Sequence, residues 1–373
     1  MNIQMVDLFS QYEKIKTEID SQIDEVIRSS VFVKGGKVIE FEGNLQKYLN
    51  TGHVISCGNG TDALQIALMA LNLKEGDEVI TTPFTFVSTL EVLSLMKLKP
   101  VLADVDPVSF NISPKLINLC ITAKTKAIIP VHLYGQCADM ESINEIAGKY
   151  KLSVIEDACQ ALGTEYYFRN GETGKAGTIG DIGCNSFFPT KNLGAFGDGG
   201  ALFTNNDELA QTMRSIANHG MSKRYYYQQI GMNSRLDAIQ AAILDVKLKY
   251  LDQYVEARQA AAAFYDRELS GIPGITIPAR VSYSSHSFHQ YTLKVPGRRD
   301  ELQKYLQAKK IPGMVYYPMP LHLQEAYQYL GYQKGDFPVA EELSEQVLSL
   351  PMHTELTDEQ LNFIVSEIRN FFS

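Results

Sequence analysis

No two of the five cysteines, Cys57, Cys120, Cys137, Cys159 and Cys184, form a CxxC pair. Their odd number and wide spacing predict reduced thiols in a cytosolic protein. No apolar run reaches the ~18 residues of a membrane helix. Met1–Asp7 lack the charged start and apolar core of a secretion signal. Both absences predict a cytoplasmic protein with no membrane contact. The seven histidines form no HExxH or comparable cluster, so no metal site is expected. Basic residues are outnumbered, 34 against 43 acidic, for a formal net charge of −9 and no basic stripe. Nucleic acid is therefore excluded as the main partner, while a local pocket can still take an anionic small substrate. No internal repeat, disordered tail or low-complexity tract is present.

What is there is an ordinary soluble balance, 45% apolar and 21% charged. A chain of 373 residues exceeds one ordinary core and predicts two units. The pattern divides them as residues 1–249 and 250–373. Ile15, Ile19, Ile23 and Ile27 predict one opening helix; Phe41, Leu45, Tyr48 and Leu49 predict a second after Gly35-Gly36. Apolar strands then alternate with amphipathic helices as far as Val154-Ile155, which predicts a mostly parallel sheet covered on both faces. Residues 237–269 read as long and helical without strong breakers. Beyond Gly271-Ile272-Pro273-Gly274 the predicted strands Gln290–Val295 and Met314–Tyr317, with intervening helices, indicate a smaller α+β unit. The fold class is α/β with this second unit attached.

Ligands of an open α/β sheet bind at the carboxyl ends of its strands, and three polar clusters fall there. Gly58-Asn59-Gly60-Thr61-Asp62 joins a strand to a helix. It is a phosphate cradle or an ordinary capped turn, and it is neither a Rossmann GxGxxG nor a P-loop. Glu156-Asp157 ends a strand and reads as a metal ligand, a general base, a pyridinium partner or a helix cap. Ser186-Phe187-Phe188-Pro189-Thr190-Lys191 runs into a glycine-rich loop. Lys191 is a surface charge, or a buried amine with a lowered pKa. Together, in this order at strand ends, they compose a pyridoxal phosphate (PLP) site: the lysine amine condenses with the aldehyde and the carboxylate keeps the pyridine nitrogen protonated. Phe86 is a ring for stacking on the pyridine or a core aromatic.

These segments resemble the DegT-type sugar aminotransferases, PLP enzymes of fold type I. The resemblance also rests on Thr82-Pro83-Phe84-Thr85-Phe86, Pro130 to Gln136, Asn218-His219-Gly220 and Gly231 to Asp237, and covers essentially the whole chain. It implies Lys191 as the cofactor-bound lysine and proton shuttle, and Asp157 as partner of the pyridine nitrogen. It places Gln160 near the cofactor hydroxyl and Phe86 on its ring. It puts Gly60, Thr61, Asp62 and Ser186 on the phosphate. Asn233 would reach the phosphate in a neighbouring subunit, which implies a homodimer with shared sites. The implied donor is L-glutamate and the implied acceptor a nucleotide-linked keto sugar. Segments Gly135 to Asp139, Ser186 to Pro189 and Ser349 to His353 look like those of enzymes that aminate UDP-2-acetamido-2-deoxy-3-oxo-glucuronate for O-antigen synthesis. Arg235 is then a carboxylate ligand or a structural pairing residue. Many members read His-Tyr-Pro where this chain has Tyr316-Tyr317-Pro318. Tyr316, Tyr317 and His322 are candidates for the sugar pocket, and the tyrosine pair reads equally as core. The Tyr225-Tyr226-Tyr227 run is a surface loop or a nucleotide contact. Two alternatives stand beside the uronate: the same chemistry on a dTDP- or GDP-linked 3- or 4-keto deoxysugar, and a non-catalytic regulatory relative.

Overall fold

Two helices open the chain in the computed structural model, which describes residues 3–373. They are α1 (Leu8–Ser29) and α2 (Gly36–Leu49). Ile15 and Ile19 of α1 are buried, but Val26 takes the inward place expected for Ile27, which is 52% exposed. A four-residue repeat drifts around a helix of 3.6 residues per turn, so the fourth isoleucine leaves the face.

The alternating region follows as β1 (His53–Cys57), α3 (Gly60–Ala70), β2 (Glu78–Thr81), α4 (Ser88–Leu95), β3 (Lys99–Leu102), α5 (Pro114–Cys120), β4 (Thr125–Ile128), α6 (Met140–Tyr150) and β5 (Ser153–Asp157). A small hairpin, β6 (Glu165–Tyr167) and β7 (Thr173–Lys175), leads to β8 (Ile182–Ser186), β9 (Gly200–Thr204) and α7 (Asp207–Ile216). A second hairpin, β10 (Met221–Lys223) and β11 (Tyr226–Tyr227), carries the tyrosine run. Seven strands form one sheet in the order β1-β9-β8-β5-β4-β2-β3. Of these seven only β9 runs against the rest. The predicted parallel sheet is present, and the carboxyl ends of β1, β2, β5 and β8 open on one edge.

The expected long helix is two, α8 (Ala238–Leu248) and α9 (Leu251–Leu269). The break gives each its own partner. Ala241 and Leu244 of α8 pack with Phe41 and Leu45 of α2, whereas Ala262, Tyr265 and Leu269 of α9 join a separate core. That core includes residues of β12 (Tyr291–Lys294), α10 (Arg299–Ala308), β13 (Val347–Leu350) and α12 (Asp358–Phe372). Between them, α11 (Pro338–Gln346) and the turn before it turn back to the large sheet: Leu321, Tyr327, Phe337 and Leu343 belong to its core. The expected strand Met314–Tyr317 is reduced to a bridge between Met314 and Ser349. Pro318 has no N–H for a ladder, and the tyrosines instead enter the wall of a cavity. No helix among the described residues is long and apolar enough to cross a membrane, and they contain no group of three metal-ligating side chains.

Candidate active site

A cavity of about 840 Å³ opens where the strand ends meet. Gly60, Thr61, Asp62, Phe86, Asp157, Gln160, Ser186, Lys191, Tyr316 and Tyr317 all line it, brought together from across some 260 residues of sequence.

The cradle is built by the start of α3. Asn59 caps the helix, its Oδ1 accepting the Asp62 amide at 2.8 Å. The amides of Gly60 and Thr61 have no partner among the described residues, as expected for the first turn of a helix. Gly60 must be glycine for space: a Cβ there would lie 2.8 Å from Ser186 Cβ and 3.0 Å from Cys159 Sγ. Asp62 lines the same cavity, and its amide already donates to Asn59 Oδ1. Its carboxylate accepts from Ser234 Oγ at 2.6 Å, and that oxygen accepts from the Gly58 amide at 2.9 Å. Asp62 therefore braces the cradle rather than offering a donor. Ser88, at the start of α4, shares a 2.7 Å hydrogen bond with Thr61 Oγ1 and was missed from sequence. Ser186 Oγ accepts from the Phe188 amide at 3.2 Å, which leaves its own hydrogen free.

Asp157 ends β5 and is buried. Thr89 Oγ1 donates to its Oδ2 at 2.8 Å, and the Cys159 amide donates to Oδ1 at 3.3 Å. The preceding residue does different work. Glu156 accepts from the amides of Gly177, Ile179 and Gly180 and pairs with His132 Nε2 at 2.7 Å. The Ala138 amide donates to His132 Nδ1, so the ring proton is on Nε2 and points to Glu156. Alternation along the strand thus sends one carboxylate into the cavity and one into a structural network.

Lys191 follows β8 on a turn closed by its amide on the Phe188 carbonyl at 2.8 Å. The side-chain amine makes no hydrogen bond or ion pair among the described residues. Burial pushes its pKa below the ordinary lysine value, opposed by Cys159 and Asp157. The glycine loop beyond it is tight: a Cβ on Gly194 would stand 2.2 Å from the Pro189 carbonyl oxygen. Gln160 is held at both ends, its Oε1 accepting the Tyr134 amide at 2.8 Å and its Nε2 donating to Tyr317 Oη at 3.2 Å. Phe86 is 55% exposed, with its ring 6.5 Å from that of Tyr317. Tyr134 Oη donates to the Tyr316 carbonyl.

Three expected residues lie elsewhere. His322 is buried under the wall, where its Nε2 meets Glu341 at 3.0 Å and its ring packs on Phe337. Its neighbours Leu321 and Gln324 line the cavity instead. Asn233 is exposed, and Arg235 is half-buried with no hydrogen bond or ion pair among the described residues. Neither lines the cavity of its own chain, although Ser234 between them touches the cradle. Tyr225, Tyr226 and Tyr227 are exposed and outside it. Sequence reasoning also missed His289 and Gln290, which enter the wall just before β12, and Asp198, Met319 and Gln324. Asp198 lies in the glycine-rich loop that follows Lys191; no local motif marks the others, which reach the wall through packing of distant segments against the large sheet.

The donor set fits PLP. Two free amides and a hydroxyl suit a phosphate, a buried carboxylate suits the ring nitrogen, and an unpaired amine suits the aldehyde.

Comparison with known proteins agrees. The chain is 50% identical to a "Pleiotropic regulatory protein" of Geobacillus stearothermophilus, over 100% of this chain and 99% of that one. It is 43% identical to the UDP-2-acetamido-2-deoxy-3-oxo-D-glucuronate aminotransferase of Pseudomonas aeruginosa, over 99% and 100%. It is 36% identical to a dTDP-3-amino-3,4,6-trideoxy-alpha-D-glucose transaminase of Streptomyces venezuelae, over 99% and 96%. Its fold superposes on that of NtdA from Bacillus subtilis, solved with bound cofactor PMP, with a TM-score of 0.90 at 32% identity, over 99% and 83% of the two chains. Residues 13–369 match the model of the DegT/DnrJ/EryC1/StrS aminotransferase family, and the chain belongs to that family of PLP-dependent sugar aminotransferases.

Proposed function

We propose that this aminotransferase moves an amino group from L-glutamate to UDP-2-acetamido-2-deoxy-3-oxo-glucuronate, in the cytoplasm, for surface polysaccharide synthesis. The observation that carries the reading is the unpaired Lys191 amine, set in one cavity with Asp157 and the free amides of Gly60 and Thr61. The 43% identity to an enzyme named for that sugar supports the substrate. Five free cysteines support a reducing compartment.

When bound, PLP supplies the electron sink that lets an α-proton leave carbon. The chain's residues do the rest. Gly60 and Thr61 N–H and the Ser186 hydroxyl hold the phosphate, and Phe86 offers its exposed face to the ring. The Asp157 carboxylate, fixed by Thr89 and the Cys159 amide, keeps a proton on the ring nitrogen. Lys191 Nζ takes the proton from the donor's α-carbon and returns one on the other side of the exchange. Burial lowers the cost of its neutral form, which is the form that accepts a proton.

Among the described residues, no arginine lines the cavity of one chain. A uronate carboxylate then needs a guanidinium from a second copy, and we assign this to Arg235, with Asn233 on the phosphate in a shared homodimer site. Tyr316 and Tyr317 form the sugar wall. A dTDP-linked keto deoxysugar is the second reading; it needs no such cation, and relatives named for dTDP sugars favour it. A regulatory role without catalysis, which the name of the 50% identical relative suggests, leaves the buried unpaired lysine without a purpose.

The test is glutamate-dependent amination of a panel of nucleotide-linked keto sugars. Turnover of the UDP-linked 3-keto uronate above all others is expected; faster turnover of a neutral dTDP sugar overturns the substrate. Arg235→Ala should weaken the uronate far more than a neutral sugar.

A further inference from the structure

Among the described residues, two titratable nitrogen groups in the cavity wall lack partners. One is the Lys191 amine. The other is the imidazole of His289, which is 7% exposed and makes no hydrogen bond among the described residues; its Nδ1 is sealed from solvent. Buried polar groups are nearly always paired, so an unpaired ring in a ligand cavity marks a partner that arrives during function.

The chain goes to some length to hold the ring there. Phe288, just before it, adopts φ 47°, a left-handed conformation rare for an aromatic residue. The Phe288 carbonyl accepts from Arg258 Nη1 at 3.1 Å, and the same nitrogen donates to the Met352 carbonyl at 2.9 Å. On the other side the Gln290 amide donates to the Tyr134 carbonyl at 3.3 Å. Arg258 lies on α9, is 3% exposed, and has no carboxylate partner among the described residues. Its role is therefore not an ion pair. It clamps two carbonyls, one of which begins the His289 peptide. Burial first, then the charges of Lys191 and Arg258, hold the imidazole well below its ordinary pKa, so the ring is uncharged at neutral pH.

An uncharged imidazole that shares a cavity wall with an ammonium can serve as its hydrogen-bond acceptor. We propose that His289 is a positioning residue for Lys191: its ring accepts a hydrogen bond from the lysine ammonium once a bound cofactor has released that nitrogen, and Arg258 fixes the ring for this purpose. The inference rests on the reading of Lys191 as the proton carrier. A free lysine has a long, flexible stem, and a fixed acceptor limits where its proton is presented. The proton stays on Nζ until it passes to carbon, so His289 acts through the lysine.

The experiment compares wild type with His289→Phe, His289→Asn and Arg258→Lys as holoenzymes. Conversion of the cofactor by L-glutamate is followed by its visible absorbance, with protio and α-deuterated donor. His289→Phe should slow conversion about tenfold to a hundredfold and raise the isotope effect. Cofactor content and half-saturating glutamate should hold. His289→Asn, which keeps an acceptor, should recover part of the rate, and Arg258→Lys should show a smaller loss of the same kind. In the pyridoxamine phosphate form, where the lysine is free, Lys191→Met should move the ¹⁵N resonances of the His289 ring. A raised half-saturation with an unchanged isotope effect would place the ring on the substrate and overturn the proposal. So would unmoved ¹⁵N resonances, or variants that lose cofactor and melting temperature but keep their rate per bound cofactor. A wild-type protein whose cofactor ignores glutamate would instead fail the underlying aminotransferase reading, and the proposal with it.

Discussion

Lys247 sits on α8, 2% exposed, and its ammonium donates to the Gly194 carbonyl at 2.6 Å, in the glycine loop that follows Lys191. Burial, with Arg258 adding repulsion, brings its pKa from 10.5 to about 8. The sign follows from proton counts. Between about pH 8 and 10.5 the unfolded chain keeps a proton that the folded chain has lost, so stability rises with pH across that window. Below it both states are charged and the full burial cost is present. Relative to Lys247→Met, wild type should gain roughly 3 kcal/mol as the pH goes from 8 to 10.5, as read by denaturant unfolding at a series of pH values; a constant difference would show that the ammonium is not desolvated. Two further substitutions test the site directly. Lys191→Ala should lower turnover by at least about a thousandfold while the protein still takes up PLP, because the cradle amides and Ser186 remain. Borohydride should then fix cofactor to wild type but not to the variant. Gly60→Ala should instead lose cofactor affinity, since its methyl falls against Ser186 and Cys159, and a titration with PLP measures that loss.

Elements outside the large sheet set much of the cavity wall. Asp104, just past β3, reaches the first turn of α11: its carboxylate accepts from the amides of Val339 at 2.9 Å and Ala340 at 3.0 Å. This is a helix cap supplied from a distant part of the chain, and Tyr332 adds a second tie by accepting the Leu102 amide at 3.2 Å. The tied segment contains Pro318, Met319, Leu321 and Gln324 of the wall. Asp104→Ala should cost about 1–2 kcal/mol, as lost caps do. It should raise KM for the sugar with little change in cofactor content; unchanged KM would mean that the wall keeps its shape without the cap. The same segment shows where sequence legibility ended. Asp157 and Ser186 were legible because each ends a short apolar strand, and strand ends of such a sheet face the ligand. Asn59 as the cap that consumes the Asp62 amide was not, since a turn sequence does not say which of its donors are already used. Tyr316 and Tyr317 read as strand residues by composition, yet their partners Tyr134 and Gln160 lie over 150 residues away. His289 carries no motif at all; its place depends on Arg258 and on packing between segments distant in sequence.

The surface of one chain leaves a large apolar area uncovered at the level of the whole molecule. Val31, Phe32 and Val33 are each between 44% and 48% exposed, and Ile39 and Ile230 are 70% and 87% exposed. A patch of this kind marks a protein interface. The Val31–Val33 segment pairs with Asp237 through Val33, and the Phe32 carbonyl accepts from the Ala238 amide at 2.9 Å. The apolar residues therefore adjoin the strip that carries Asn233 and Arg235, two of the three expected site residues absent from their own chain's cavity. A second copy covering this patch would bring that strip to a neighbouring site. The expectation is testable by complementation. Lys191→Ala removes the reactive amine, and Asn233→Asp sets a negative charge against the phosphate. Each homodimer should be inactive. In a heterodimer isolated through two different tags, one site combines intact Lys191 from one chain with intact Asn233 from the other, and the second site holds both defects. Such heterodimers should show about half of wild-type activity if the sites are shared across a twofold interface. If each site is built within one chain, both sites of the heterodimer stay defective and no activity returns. Phe32→Asp should separate the copies and remove activity together with PLP retention, measured by light scattering and absorbance on the same sample. A monomer that keeps its cofactor and its rate would mean that Asn233 and Arg235 serve no site at all.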